Sequence, residues 1–91
     1  MEQTQKQQVI LTCKTEWRDG ATITRTYKET SIEAARLHLA RERYHRTESY
    51  EALTDALTGD DPIVTEPNPR QLLFIYADRI VTFTIEERRA Q

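Results

Sequence analysis

Residues 71–86, QLLFIYADRIVTFTIE, decide the fold, because apolar and polar residues alternate on both sides of a short polar turn. This alternation is typical of β-strands with one buried face. When residues 71–77 pair with residues 80–86 across a turn at Asp78-Arg79, the apolar side chains of both strands share one face. In this register Leu72, Phe74 and Tyr76 lie opposite Ile85, Phe83 and Val81. The segment therefore predicts a β-hairpin whose register is fixed by burial.

The N-terminal third of the chain predicts a second hairpin. Residues 8–17 alternate in the same way, and Asp19-Gly20 is a strong signal for a hairpin turn. A two-residue turn would set the apolar face of the first strand against a row of threonines. A three-residue loop with Gly20 in the left-handed conformation instead pairs Trp17 with Ala21, and burial favours this register.

Two helices are predicted between the hairpins. Thr30 and Glu33 form a capping box, which is followed by a helical pattern from Ser31 to about His45. A second helix is predicted over residues 48–58, with its N-cap left open between two candidates, its end at Gly59 and an apolar stripe along one side. The candidate N-caps are Thr47 and Ser49, and the stripe is Tyr50, Leu53 and Leu57.

These elements follow one another in the order β-β-α-α-(β)-β-β, where the strand in parentheses is a short edge strand over residues 62–66. The fold class is therefore α+β, with two β-hairpins forming an antiparallel sheet and two helices packed on one of its faces. Residues 1–91 form a single domain, and residues 1–7 and 88–91 are expected to fray.

The composition describes a small polar domain. Of its 91 residues 37% are apolar and 31% are charged, and a single cysteine, Cys13, excludes an intramolecular disulfide. The segment from Met1 to Gln8 is polar, and no apolar run approaches the roughly 18 residues of a spanning helix. We therefore expect a soluble cytoplasmic protein without a membrane partner, and a homodimer is compatible with this composition.

Charge is segregated along the chain. Residues 36–46 carry four arginines and one glutamate, whereas residues 47–69 carry six acidic residues and no lysine or arginine. The acidic residues that we expect on the exposed face and beyond the end of the second helix are Glu48, Glu51, Asp55, Asp60 and Asp61. A surface of this kind docks on a basic partner protein, or it neutralises the basic helix of the same chain.

The first helix carries the basic segment. Arg36 and Arg43 are seven residues apart and lie between two apolar stripes, where they would form a phosphate-binding cleft or pair with Glu33, Glu51 or Asp55. The residues that would contact nucleic acid are Arg36, Arg43, His38, Tyr44 and His45.

In its element order the chain resembles the small RelE-type ribonuclease toxins, since two helices bearing arginine and histidine precede an antiparallel hairpin. This resemblance of layout implies RNA binding or RNA cleavage through the helix over residues 36–46. The chain departs from that family in its long N-terminal hairpin and in its net charge of −2, because RNA-binding domains are normally basic.

No catalytic residue, metal site or cofactor is predicted. The chain has only Gly20 and Gly59, too few for a glycine-rich phosphate loop, and His38, Glu42 and His45 lack the spacing of a zinc-protease motif. Enzymatic activity therefore stays open but disfavoured. The leading hypothesis is a non-enzymatic protein-interaction or regulatory module with an unidentified protein partner, and the alternative is the RNA-binding or RelE-like ribonuclease domain.

Overall fold

The chain forms a five-stranded antiparallel sheet and two helices, in a computed structural model that describes residues 7–89. The elements are β1 (Gln7–Trp17), β2 (Thr22–Glu29), α1 (Ile32–Thr47), α2 (Tyr50–Leu57), β3 (Ile63–Asn68), β4 (Gln71–Ile75) and β5 (Arg79–Arg89). The strands lie in the order β2-β1-β5-β4-β3. The predicted fold class and element order are confirmed, and β3 is an edge strand as expected.

The N-terminal hairpin has the predicted register. The Trp17 N–H donates to the Ala21 carbonyl at 2.9 Å, and Thr15 lies opposite Ile23. Gly20 has a φ of +97°, the left-handed conformation that a glycine adopts without steric cost. The three-residue loop therefore sets which side chains of β2 face the helices.

The C-terminal hairpin differs from the prediction by two residues. Phe74 lies opposite Val81 rather than Phe83, because the chain turns at Ala77-Asp78 and the Tyr76 N–H donates to the Arg79 carbonyl at 2.9 Å. A slip of two residues keeps every side chain on its predicted face. The apolar face is therefore correct although the individual partners are not.

The core lies between this sheet face and α1. Its buried members are Val9, Leu11, Ala35, Leu39, Leu72, Phe74, Tyr76, Val81, Phe83 and Ile85. The rings of Phe74 and Phe83 pack edge to face with centroids 5.9 Å apart, a favourable aromatic geometry. Seven of these ten side chains come from β1, β4 and β5, and Tyr76 directly follows β4, so the sheet supplies most of the core.

The helix α1 packs across the middle of the sheet, where it contacts β1, β5 and β2. Its N-cap is Ser31, whose Oγ accepts a hydrogen bond from the Ala34 N–H at 3.0 Å. The predicted capping box at Thr30 is therefore wrong by one residue. The helix also continues to Thr47, two residues beyond the predicted end, and this extension brings Arg46 over the core.

The helix α2 contacts α1, and its large apolar side chains stay exposed. Ser49 is the N-cap and accepts from the Ala52 N–H at 3.1 Å, and Gly59 follows the helix end with a φ of +89°. The N–H groups of Glu48 and Ser49 both donate to the Tyr44 carbonyl. This link joins α2 closely to α1, and among the described residues the helical members of the core cluster come from α1.

The strands reach farther than predicted at both ends of the chain. Gln7 pairs with Arg89, while residues 1–6 and 90–91, on which most of the predicted fraying falls, lie outside the described residues. The edge strand β3 extends through Pro67 to Asn68, with a register shift between Thr65 and Asn68. A proline and a bulge disturb the hydrogen-bonding pattern of this edge.

Candidate functional site

The exposed apolar stripe of α2 is the most unusual surface feature. Tyr50 is 86% exposed, Leu53 56% and Leu57 87%, and their spacing puts all three on one side of the helix. The buried residue of α2 is Ala52, which lies on another side of the helix together with the partly buried Ala56. The helix therefore attaches through alanines and presents its larger apolar residues to solvent.

The predicted acidic surface borders this stripe on one side. Glu48, Glu51 and Asp55 are exposed, and at about 100° per residue Glu51 and Asp55 follow each other along the helix beside Tyr50. None of these three carboxylates forms an ion pair with another residue of the described chain. They are therefore available to a partner.

The two aspartates beyond α2 differ from each other. Asp60 lies 3.4 Å from the Arg79 guanidinium, which also bonds Asp78 at 2.7 Å and stacks 3.8 Å from the centroid of the Tyr76 ring. Burial works to lower the pKa of Arg79, but the hydrogen bonds to Asp78 and Asp60 outweigh it and leave that pKa raised. Both aspartates are exposed, but Asp60 ties the end of α2 to the second hairpin, whereas Asp61 forms no ion pair with another residue of the described chain.

The two arginines of the predicted basic cleft do share a groove. Arg36 and Arg43 border a depression of about 180 Å³ between α1 and the β3–β4 region. Glu66 lies in the same groove, 3.7 Å from Arg43. Arg43 therefore has an internal partner, although not one of the acids that the sequence suggested.

The other residues of the nucleic-acid hypothesis lie elsewhere on α1. His38 Nδ1 is 2.8 Å from Glu29 Oε2, and its ring packs edge to face with Tyr27 at 5.0 Å. Tyr44 and His45 are exposed, with their rings 5.8 Å apart. The five residues are thus spread over three sides of the helix rather than gathered on one surface.

Arg46 is a central residue that the sequence reasoning missed. Its guanidinium lies 5.3 Å from the Phe74 ring centroid and 5.7 Å from that of Phe83. It donates at 3.1 Å to the Tyr76 hydroxyl and at 3.1 Å to Glu42. Burial works to lower its pKa, but these hydrogen bonds outweigh it and leave the pKa raised. The available signal was its spacing, since residue 46 continues the helix side that carries Leu39.

Arg46 also borders the groove between α1 and the N-terminal hairpin. This groove, of about 310 Å³, is lined by Cys13, Thr15, Trp17, Ile23, Arg25, Tyr27, Glu42, Arg46 and Phe83. Burial raises the pKa of the Cys13 thiol above its ordinary value, partly offset by the charge of Arg46. Cys13 is therefore a neutral thiol at pH 7, which does not favour a nucleophilic role.

Residues 7–89 contain no group of three or more His, Cys, Asp or Glu side chains placed to hold a metal ion. Over the same range, no helix is long and apolar enough to cross a membrane. No protein-family model matches the chain, and no curated protein or solved structure is significantly similar to it.

Proposed function

We propose that this protein is a non-enzymatic interaction module that docks on a larger protein through α2. The observation that carries the proposal is the exposed stripe of Tyr50, Leu53 and Leu57 on a helix that packs mainly on α1 through its alanines. Single exposed apolar residues are normal on protein surfaces, but a contiguous row of three large ones is typical of an interaction site.

The spacing of the stripe fits a known mode of recognition. An amphipathic helix that binds in a hydrophobic groove uses anchors at positions i, i+3 and i+7, which is the spacing of Tyr50, Leu53 and Leu57. Tyrosine is also one of the residue types that contribute most to binding energy at interfaces. The partner would therefore present an apolar groove about two helical turns long.

The acidic residues beside the stripe indicate the charge of that partner. Glu48, Glu51 and Asp55 would repel the same surface of a second copy and attract lysine or arginine at the rim of a groove. Charges at a rim mainly raise the association rate, whereas the apolar anchors set the lifetime of the complex. We therefore infer a different protein with a basic rim rather than self-association through α2.

The RNA alternative stays a prediction with less support. Glu66 lies 3.7 Å from Arg43 and would compete with phosphate for it, and Glu29 contacts His38 at 2.8 Å. Binding to RNA would fall steeply between about 50 and 200 mM salt if phosphate contacts dominated, and Arg36→Ala with Arg43→Ala would abolish it without unfolding the chain. A titration at both salt concentrations that shows no binding would rule out this alternative.

The experiment for α2 is site-specific photo-crosslinking in cells that make the protein. A photo-reactive residue replaces Leu57 in the stripe, and the matched control replaces Glu33, which is exposed on the first turn of α1. We expect an adduct with one particular protein from position 57 and none from position 33. That protein is then purified and its binding to the unmodified chain is measured by calorimetry.

The supporting result is a reconstituted complex that Leu53→Gln with Leu57→Gln weakens by about tenfold or more. The control Leu37→Gln, at an exposed leucine of α1, should leave the affinity unchanged. Glu51→Lys with Asp55→Lys should slow association and reduce its dependence on salt. Equal adducts from both positions, no adduct, or an adduct only with a second copy of the chain would contradict the proposal.

A further inference from the structure

The strand β2 forms an open edge of the sheet, in contrast to the opposite edge. Its eight residues, TITRTYKE, contain no proline or glycine and pair with β1 without a register shift. The other edge strand, β3, carries Pro67 and a register shift. An uninterrupted edge strand offers unpaired backbone groups to an added strand, whereas a proline or a bulge discourages it.

The alternation of hydrogen bonds between β1 and β2 shows which backbone groups of β2 could bind an added strand. Trp17 donates to Ala21, and bonded pairs alternate along an antiparallel ladder. Ile23, Arg25 and Tyr27 therefore direct their N–H and C=O groups toward β1. The residues whose backbone groups point away from the sheet are Thr22, Thr24, Thr26 and Lys28. These four residues provide a complete template for one more strand.

The charges on β2 indicate what kind of strand would bind. Arg25 and Lys28 form no ion pair with any residue of the described chain, whereas Glu29 is held by His38 at 2.8 Å. Arg25 and Lys28 lie on opposite faces of the sheet because they are three residues apart. Pairing two copies through β2 would bring four such cations to one interface, so the edge favours an acidic strand over a second copy.

The face of β2 that borders the groove beside α1 carries apolar side chains that an added strand could also contact. Ile23 and Tyr27 line the 310 Å³ groove on either side of Arg25, and Ile23 is 50% exposed. An added strand would place alternate side chains beside these three residues. Its positions opposite Ile23 and Tyr27 would be apolar, and its position opposite Arg25 would be acidic.

We propose that the β2 edge binds an extended acidic peptide segment of another protein as a sixth, antiparallel strand. Read from the residue opposite Lys28 to the residue opposite Ile23, the matching segment is acidic, apolar, threonine, acidic, threonine, apolar. Each acidic residue faces one of the two unpaired cations, and the threonines extend the rows that Thr24 and Thr26 begin. This surface is separate from the stripe of α2 and does not depend on its function.

The test is a fluorescence-anisotropy titration of the purified protein with labelled synthetic peptides of about ten residues centred on this pattern. The matched control peptide has lysine at both acidic positions. We expect saturable binding of the acidic peptide only. Charge reversal in the protein, Arg25→Glu with Lys28→Glu, should invert the preference between the two peptides by about tenfold or more.

Backbone pairing is tested separately at Thr26. Thr26→Pro removes an outward N–H and spares the bonds to β1, since proline is tolerated on edge strands, and it should abolish binding. Thr26→Val keeps the N–H and should bind normally. If the proline variant fails to unfold cooperatively, the charge-reversed protein with its inverted peptide preference still decides the matter.

The proposal is overturned if neither peptide binds at about 1 mM, or if both bind equally. It is also overturned if sedimentation shows a dimer that Thr26→Pro dissociates, because a second copy would then occupy the edge. Leu53→Gln with Leu57→Gln should leave peptide binding unchanged. A failure at β2 can therefore be distinguished from a failure of the role proposed for α2.

Discussion

The helices α1 and α2 both start with a serine N-cap, but only α1 buries a large apolar side chain within the described structure. Ser31 and Ser49 each accept a hydrogen bond from the N–H three residues later. The helix α1 then buries Leu39 against the sheet, whereas α2 buries Ala52 and exposes Leu57. An apolar stripe thus predicts that a helix face is covered, but the covering surface belongs to the same chain in one case and, we propose, to a partner in the other.

The largest expected difference is between leucines of the two helices. Leu39→Ala should lower the free energy of unfolding by about 2–5 kcal/mol, because it removes buried contacts and leaves a cavity. Leu57→Ala should change it by less than about 0.5 kcal/mol, because the side chain is already 87% exposed. Urea unfolding followed by circular dichroism measures both, and equal losses would contradict the difference between the helices.

A second comparison concerns two arginines of α1. Arg46→Met should lower the free energy of unfolding by about 1–3 kcal/mol, since it removes charge-assisted hydrogen bonds and the contact with two phenylalanine rings. Arg43→Met should cost about 0–1 kcal/mol, because its ion pair with Glu66 joins side chains that are 51% and 46% exposed. The same urea experiment distinguishes them. Similar costs would mean that Arg46 does not stabilise the core.

The two N-caps provide a matched pair. Ser31→Ala should lower the global stability by about 1 kcal/mol, as loss of an N-cap does in a helix that belongs to the core. Ser49→Ala should leave the global value almost unchanged and speed amide hydrogen exchange within α2 only. Exchange measured by NMR reports both effects. If Ser49→Ala destabilised the whole domain, α2 would belong to the cooperative core.

The smallest effect concerns the partly buried Cys13, which lines the groove between α1 and the N-terminal hairpin. Because burial raises the pKa of its thiol above the ordinary value, alkylation by iodoacetamide at pH 8 should be slower in the folded protein than in urea. A raised pKa means that the folded state binds the proton more tightly. The corresponding stability is present below the ordinary pKa of a thiol and is lost as the pH rises through the raised pKa. Equal alkylation rates would show that α1 does not shield the thiol.

The fold was largely predictable because its signals are local. The alternation in residues 71–86 identified the apolar face, and Gly20 identified the register of the first hairpin. The register of the second hairpin was missed because alternation identifies the buried face but does not distinguish registers that differ by two residues. The turn lies at Ala77-Asp78, where Tyr76 pairs with Arg79. The strand β3 was predicted, but its continuation through Pro67 depends on a bulge that only the paired strand reveals.

The surfaces were harder to predict because they depend on how the elements pack. The sequence identified the stripe of α2 as apolar, and we expected the helix to pack on the sheet. Periodicity shows that a helix face is apolar but not which surface covers it. Arg46 was missed because its role requires Phe74, Phe83 and Tyr76, which arrive from distant strands. The open edge at β2 follows from the strand order, which the local pattern did not determine.

The most direct test of the account is the stability of the double variant Leu53→Gln with Leu57→Gln. Glutamine matches leucine in helix propensity, so the substitution changes the apolar surface of α2 and little else. If the stripe binds a partner, the free energy of unfolding of the purified protein, measured with urea, should change by less than about 1 kcal/mol. A loss of about 3 kcal/mol or more would place both leucines in the core of this domain and contradict the account.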